Sequence, residues 1–91
     1  MIEPKLIAII PHYNHSDKIG NVINQLHKLN LPVLVVDDGS SEQYKKALSS
    51  LSEKDNLHIH YCSQNQGKGG AMKVGFRLAF KQGFTHALQV D

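Results

Sequence analysis

Disulfides, paired-cysteine zinc sites and membrane spans have no material to form from in this chain. Cys62 is the only cysteine, which excludes a disulfide framework and any zinc site built on cysteine pairs. Nothing in the sequence reads as a signal peptide or a spanning helix, so the expected location is cytoplasmic. Asn14-His15-Ser16 matches the glycosylation acceptor pattern, but without a secretory signal the match carries no meaning. Charge of one sign is also scarce. Ten Lys and Arg against eight Asp and Glu leave a net charge of +2. The basic residues are scattered apart from Lys45-Lys46, and no aromatic ladder interleaves them, which argues against a nucleic-acid partner. There is no linker, no repeat and no low-complexity segment. With 91 residues the chain is a single small domain whose core is thin but sufficient.

What is present centres on Leu34-Val35-Val36-Asp37-Asp38-Gly39-Ser40, an apolar run that stops on two adjacent carboxylates. A buried strand ending this way delivers acidic side chains to the carboxyl edge of a sheet, where open α/β folds bind ligands. Neighbouring carboxylates repel and are costly to desolvate, so stability alone seldom explains them. The plainer reading is a polar loop with a helix cap, Ser40 accepting from the backbone N–H groups that follow.

Around that stretch the chain alternates. Lys5 to Ile10 reads as a strand buried on both faces and ended by Pro11, with His12-Tyr13-Asn14-His15 as a polar loop. A helix starts near Ser16 as cap, carries Ile19, Val22, Ile23, Leu26 and Leu29 on one stripe, and stops at Asn30 and Pro32. Val33 to Asp37 is the second strand. Ser40-Ser41-Glu42-Gln43 opens a second helix in capping-box style, with Tyr44, Ala47, Leu48 and Leu51 on its buried face. Leu57, Ile59 and Tyr61 alternate with His58, His60 and Cys62 in a third strand. A polar, glycine-rich loop spans Ser63 to Gly70, a third helix runs from Ala71 to Gln82 with a stop at Gly83, and His86 to Val90 is a fourth strand. This β-α-β-α-β-α-β order predicts an α/β fold: three layers, α/β/α, with one parallel sheet and right-handed crossovers. The loops at Pro11–His15, Asp37–Ser40 and Ser63–Gly70 then converge on one edge, with whatever follows Asp91.

The glycine loop fails the better-known phosphate motifs. A Walker A loop needs glycine five residues before its Gly-Lys pair and Ser or Thr after the lysine, but Gly67-Lys68 has Cys62 and Gly69 there. A dinucleotide fingerprint would have its third glycine where Met72 stands, and would follow the first strand rather than the third. What remains is a glycine turn with one lysine at a helix amino terminus, able to bring N–H groups close to an anion or ring edge. The alternative is a plain turn with close helix packing at Gly70. His58, His60 and Cys62 form a row that could in principle hold a metal, as could His12 with His15, but no further ligands stand at fixed spacing. Cys62 has no cationic neighbour in sequence to activate it.

Four stretches in order carry a resemblance: Ile9-Ile10-Pro11-His12-Tyr13-Asn14, Val35-Val36-Asp37-Asp38-Gly39-Ser40, Asn65-Gln66-Gly67-Lys68-Gly69-Gly70-Ala71 and Gln89-Val90-Asp91. Together they resemble the amino-terminal, nucleotide-binding half of a family 2 glycosyltransferase, nearest to the dolichyl-phosphate-mannose-synthase-like, lipid-directed branch. The resemblance implies an A-type glycosyltransferase fold with sheet order 3-2-1-4. It implies a nucleotide-diphosphate sugar as donor, an unidentified acceptor that in the lipid-directed branch is lipid-linked, and transfer with inversion. Tyr13 would lie against the base, with the backbone around Pro11 holding its edge. Asp38 would accept from the base and Asp37 would shape that turn. Gly67, Lys68 and Gly69 would close over the base and ribose. Asp91 matches the first aspartate of the family's Asp-x-Asp motif, which contacts the ribose and helps place Mg²⁺ or Mn²⁺.

The resemblance also implies that the second aspartate and the general base fall beyond Asp91, so that residues 1–91 are the amino-terminal portion of such a domain, truncated at its C-terminal end and inactive alone. The parent enzyme would work in the cytoplasm, and a lipid-linked acceptor would put it at the cytoplasmic face of a membrane. The strand 86–90 would be an exposed edge open to self-association. Two readings from other classes stand beside this one. A non-catalytic nucleotide-binding module would show the same motifs without metal dependence. A phospho-acceptor receiver domain would need its acidic pair after the first strand, which here ends in Pro-His-Tyr.

Overall fold

Seven elements alternate along the chain in the order that its apolar periodicity predicts. In the computed structural model, which describes residues 3–15, 18–51 and 56–90, they are β1 (Leu6–His12), α1 (Ile19–Lys28), β2 (Val33–Asp37), α2 (Glu42–Ser49), β3 (Leu57–Tyr61), α3 (Gly67–Lys81) and β4 (His86–Gln89). The strands form one parallel sheet in the order β3-β2-β1-β4, as the resemblance implied. Successive strand residues point to opposite faces, and the two cores follow that alternation. Ile7, Ile9, Leu34 and Val36 face α3, where they pack with Ala71, Met72 and Ala79. Ala8, Ile10, Val33 and Val35 face the other way, against Ile19 and Ile23 of α1 and Leu48 of α2. Helices on both faces explain why β2 is apolar at four successive positions and buried throughout.

Helix α3 lies close to the sheet because Gly75 lets it. A methyl group built there would sit 2.7 Å from Ile9 Cγ2 and 3.1 Å from Val36 Cγ2. The close-packing glycine is therefore Gly75 and not Gly70, whose added methyl would meet only the Gln66 side chain. Two helices end in the same way. Asn30 and Gly83 take positive φ, 59° and 96°, and the N–H groups of residues 30 and 31, and of 83 and 84, reach back to carbonyls of the last turn. This is the Schellman arrangement, with a left-handed residue just past the helix.

Several boundaries differ from those expected. β1 does not stop at Pro11 but runs through it to His12, paired with β2 as far as His12↔Asp37. The parity of the ladder allows this. Ala8 N–H donates to Pro32 O and His12 O accepts from Asp38 N–H, so even residues turn their backbone groups toward β2. Ile9 O accepts from Val90 N–H, so odd residues turn toward β4. The β4 ladder ends at Ile9↔Gln89, and Pro11 sits one step beyond it, where a missing N–H costs no bond. α3 begins at Gly67 rather than Ala71, so the glycines form its first turn. It ends one residue sooner than expected, with Gln82 as C-cap. β4 ends at Gln89 by the same margin, and Cys62 lies just past β3, buried.

The caps differ as well. The expected cap Ser16 lies outside the described residues. Ser41 occupies the cap position of α2 without a side-chain cap bond, and Ser40, the expected cap, is engaged with Asp37 instead. Leu29 belongs to the C-cap of α1 rather than its buried stripe and is 69% exposed, and Ala47 is also exposed.

Candidate functional site

β1 outruns β4 at the carboxyl edge, and the overhang leaves a notch between the amino-terminal ends of α1 and α3. A cleft of about 550 Å³ occupies it. Its floor is the end of β1, from Ile10 to Tyr13. Ile19 and Val22 wall one side, and Asn65, Gly67, Lys68 and Ala71 wall the other, with Asp38 between them. The backbone of Pro11 faces this notch rather than β2. An apolar slot with a few polar groups at a carboxyl edge suits a flat, partly polar ligand.

Next to the cleft is a closed polar corner. Asp37 is fully buried. Its Oδ1 lies 2.7 Å from His12 Nδ1 and accepts from Ser40 Oγ at 2.6 Å, and its Oδ2 accepts from the Ser40 N–H at 3.0 Å. An ionised carboxylate only accepts, so the histidine proton sits on Nδ1. Asn14, at φ 47°, closes the corner from the other loop. Its N–H donates to Ser40 Oγ at 2.8 Å, and its Oδ1 accepts from the Ser41 N–H at 2.9 Å. Asn is among the few residues that adopt this left-handed conformation readily.

Asp38 is held differently. Its N–H donates to His12 O at 2.8 Å, and its carbonyl accepts from Asn65 Nδ2 at 3.2 Å. Its Oδ1 accepts from the Gln66 N–H at 2.8 Å, which ties the carboxylate to the residue just before α3. Gly39, at φ 80°, lets the chain pass against the third loop, since a methyl there would stand 2.8 Å from Asn65 N. Asp38 thus joins the second loop to the third while remaining on the cleft wall.

Ser40, His12 and Asp37 are the residue types of a hydrolytic triad but not its geometry. Ser40 Oγ donates to Asp37 and stands 3.5 Å from the ring nitrogen that already serves that carboxylate. His12 Nε2, which would have to take the serine proton, is buried without a partner among the described residues. Cys62 is no nucleophile either. Burial pushes its thiol pKa up, and Asp38 and then Asp37 add to the shift, the opposite of activation. Tyr61 is raised too, by burial first and Asp37 second. Among the described residues no group of three His, Cys, Asp or Glu could hold a metal ion. His12 is spent on Asp37, and the His58 row gains no further ligand.

Of the residues expected to bind, Pro11, Tyr13, Asp38, Gly67 and Lys68 line the cleft. Gly69 follows in the exposed first turn of α3. Asp37 lies in the corner and not on the wall. Asp91 lies outside the described residues. Sequence reasoning missed His12, Asn14, Ser40, Asn65 and Gln66 as partners of the carboxylates. His12 was legible in principle: a strand that outlasts its proline by one residue places that side chain on the same face as Asp37.

Residues 7–85 match Glycosyl transferase family 2. The chain belongs to this family. Family 2 relatives include the UDP-N-acetylglucosamine--dolichyl-phosphate N-acetylglucosaminyltransferase of Methanococcus voltae, 30% identical, aligned over 100% of this chain and 42% of that protein. The undecaprenyl-phosphate mannosyltransferase of Micrococcus luteus is 28% identical over 96% of this chain and 37% of its own length. Among solved structures, the mannosyltransferase PcManGT from Pyrobaculum calidifontis, in complex with GDP-Man and Mn²⁺, shares the fold at a TM-score of 0.71 with 23% identity, over 86% of this chain and 25% of that one. The chain therefore spans well under half the length of these relatives. No helix among the described residues is long and apolar enough to cross a membrane.

Proposed function

We propose that this chain grips the nucleotide of a nucleotide-diphosphate sugar for a family 2 glycosyltransferase that transfers the sugar, with inversion, to a lipid-linked acceptor. The observation that carries this reading is the cleft at the β1 overhang with the Asp38 carboxylate on its wall. A nucleobase offers a ring or amino N–H, which a fixed carboxylate accepts. Tyr13, half exposed at the mouth, supplies a face for stacking. The Pro11 carbonyl offers a second acceptor along the base edge. The amino-terminal turn of α3, Gly67 to Gly69, presents backbone N–H groups, and Lys68 adds positive charge; both suit the ribose–phosphate side. Asp37 serves by holding the turn that Asp38 follows. The relatives named above act on lipid phosphates, which supports that acceptor class. In the transfer an acceptor oxygen bonds to the anomeric carbon opposite the breaking bond to the diphosphate, which leaves with its electron pair.

The described residues do not by themselves fit a divalent cation. Asp37 is consumed by three donors, Asp38 is tied to Gln66, and no group of three His, Cys, Asp or Glu among the described residues is arranged to hold an ion. The expected Mg²⁺ or Mn²⁺ would need carboxylates other than these two, and Asp91, the residue the resemblance offers, lies outside the described residues.

Titration calorimetry with UDP, GDP, CDP and ADP tests the reading. Binding of at least one, weakened by Asp38→Asn and without sugar transfer by the 91-residue chain, is expected. Binding of none would remove it. Self-association through β4 is a further part of the proposal. Among the described residues that strand pairs only with β1, and Leu88 on it is 44% exposed. Light scattering showing a clean monomer at millimolar concentration would count against that part.

A further inference from the structure

His12 is used by the fold in an unusual way. It touches both carboxylate residues at once: its carbonyl accepts the Asp38 N–H, and its ring binds the Asp37 carboxylate. The side chain is almost wholly buried, and Nε2 has no partner among the described residues. Leaving a buried ring nitrogen unpaired costs free energy, and so does burying a carboxylate. The two positions below this pair in the same column, Ile10↔Val35 and Ala8↔Val33, are plain apolar contacts. An apolar pair could continue that column at no such cost. The polar pair does something that packing does not require.

What it does follows from where it sits. His12 is the last residue of β1 and Asp37 the last of β2. The next residues, Tyr13 and Asp38, both line the cleft. The Nδ1–H···Oδ1 bond clamps the two strand ends at the point where their chains leave the ladder. Ser40 and Asn14 extend the clamp into both loops.

We propose that His12 is a positioning residue of the binding cleft, holding Asp37 through Nδ1–H so that Asp38 and Tyr13 address one ligand. The inference rests on the nucleotide reading for its ligand, but not for its geometry.

An asparagine side chain places its N–H₂ near the position of Nδ1 and has nothing at Nε2. A phenylalanine keeps an aromatic ring and removes the donor. His12→Asn and His12→Phe therefore separate the clamp from the ring. In calorimetry with whichever nucleoside diphosphate the unaltered chain binds, His12→Phe should lose about tenfold or more in affinity, and His12→Asn should recover to within about threefold of the unaltered chain. Circular dichroism confirms that both are folded. Equal affinity of folded His12→Phe and the unaltered chain overturns the proposal. So does a His12→Asn that binds no better than His12→Phe, since the donor would then not matter.

A ligand-free readout keeps this test apart from the nucleotide reading. In ¹H–¹⁵N spectra, the Asp38, Ser40 and Gln66 amide signals should move in His12→Phe and stay near their places in His12→Asn. If no nucleoside diphosphate binds the unaltered chain, the nucleotide reading fails and these signals alone decide the clamp. Unmoved signals in His12→Phe reject it. Should His12→Phe fail to fold, the same comparison is made with His12→Leu.

Discussion

The corner at His12, Asp37 and Ser40 and the turn at Gln66–Gly70 flank one cleft, and they are held in opposite ways. Among the described residues, every hydrogen bond to a side chain of the corner is made within it or to Asn14, and its three residues are all buried. Residues 66 to 69 of the turn are exposed, and its described attachment to the corner side is the Gln66 N–H on Asp38 Oδ1. Gly67, at φ 83°, has no atom near the position its Cβ would take. A region whose polar groups satisfy one another is rigid and costly to disturb. An exposed turn with few buried side chains can adapt to what enters the cleft. Frame and closing element are thus built from different chemistry on the two sides of a single ligand site.

Removing the frame's central acceptor should give the largest effect. Asp37→Leu leaves the His12 ring N–H and both Ser40 donors unpaired in a buried place, at a cost of about 3–5 kcal/mol. Asp37→Asn keeps one accepting oxygen and should cost about 1–3 kcal/mol. Urea unfolding measures both. If Asp37→Leu costs less than Asp37→Asn, the corner is not a frame and the contrast with the turn disappears.

Asp38 joins the two regions, so its loss should appear in binding more than in folding. Asp38→Asn should weaken nucleoside diphosphate binding by about 1–3 kcal/mol, because a charged acceptor becomes a neutral one. Its Oδ1 can still accept from Gln66, so unfolding should change little. An unchanged affinity by calorimetry would assign the cleft wall a structural task only.

Most of the fold was legible in the sequence, and the departures have physical causes. The succession of strands and helices followed from apolar patterning, because parallel strands buried on both faces leave continuous Ile and Val runs, whereas the strand order came from the family resemblance. Pro11 misled at the end of β1, since a proline inside a strand is tolerated only on a side with no partner, and sequence does not reveal which side that is. Losing that residue also hid the His12–Asp37 pair. The glycine turn misled in the other direction. Three glycines and a lysine read as loop by propensity, yet the packing of Ala71, Met72 and Gly75 on the sheet carries the helix back to Gly67. Ser40 looked like a cap and serves Asp37 instead, a choice set by burial that no local pattern encodes.

A smaller effect is expected at alkaline pH, and it reads the frame's surroundings. Cys62 and Tyr61 hold their protons more tightly in the fold than the ordinary thiol and phenol values of 9.0 and 10.0. The unfolded chain therefore releases these protons first as pH rises. Linkage then makes the fold lose stability above about pH 9, while below it the contribution is fully present. Unfolding midpoints taken from pH 7 to 10.5 should decline only at the upper end. Reaction of Cys62 with a thiol reagent at pH 8 should be slow until urea unfolds the chain. Fast reaction in the folded protein would place the thiol outside the buried layer beside the two carboxylates.

The smallest change in stability should come from Gly69→Ala, and it separates the two regions most cleanly. Gly69 stands in the first turn of α3 without positive φ, and an added methyl would meet nothing within 4 Å. Alanine is the better helix former, so the fold should gain about 0.5–1 kcal/mol or stay level. Nothing in the unliganded molecule needs a glycine here. If the turn brings its backbone against the ribose–phosphate side of a nucleotide, the methyl occupies space that only the ligand would claim. Affinity should then fall while stability holds or rises, the reverse of the pattern expected at Asp37. Gly83→Ala supplies the control at the far end of the same helix: there the φ of 96° is strained for alanine, so stability should fall by about 1 kcal/mol and affinity should not move. A Gly69→Ala chain that binds as tightly as the unaltered one would mean that the ligand never approaches the first turn of α3. The contact on that side would then have to come from the Lys68 side chain rather than from the backbone.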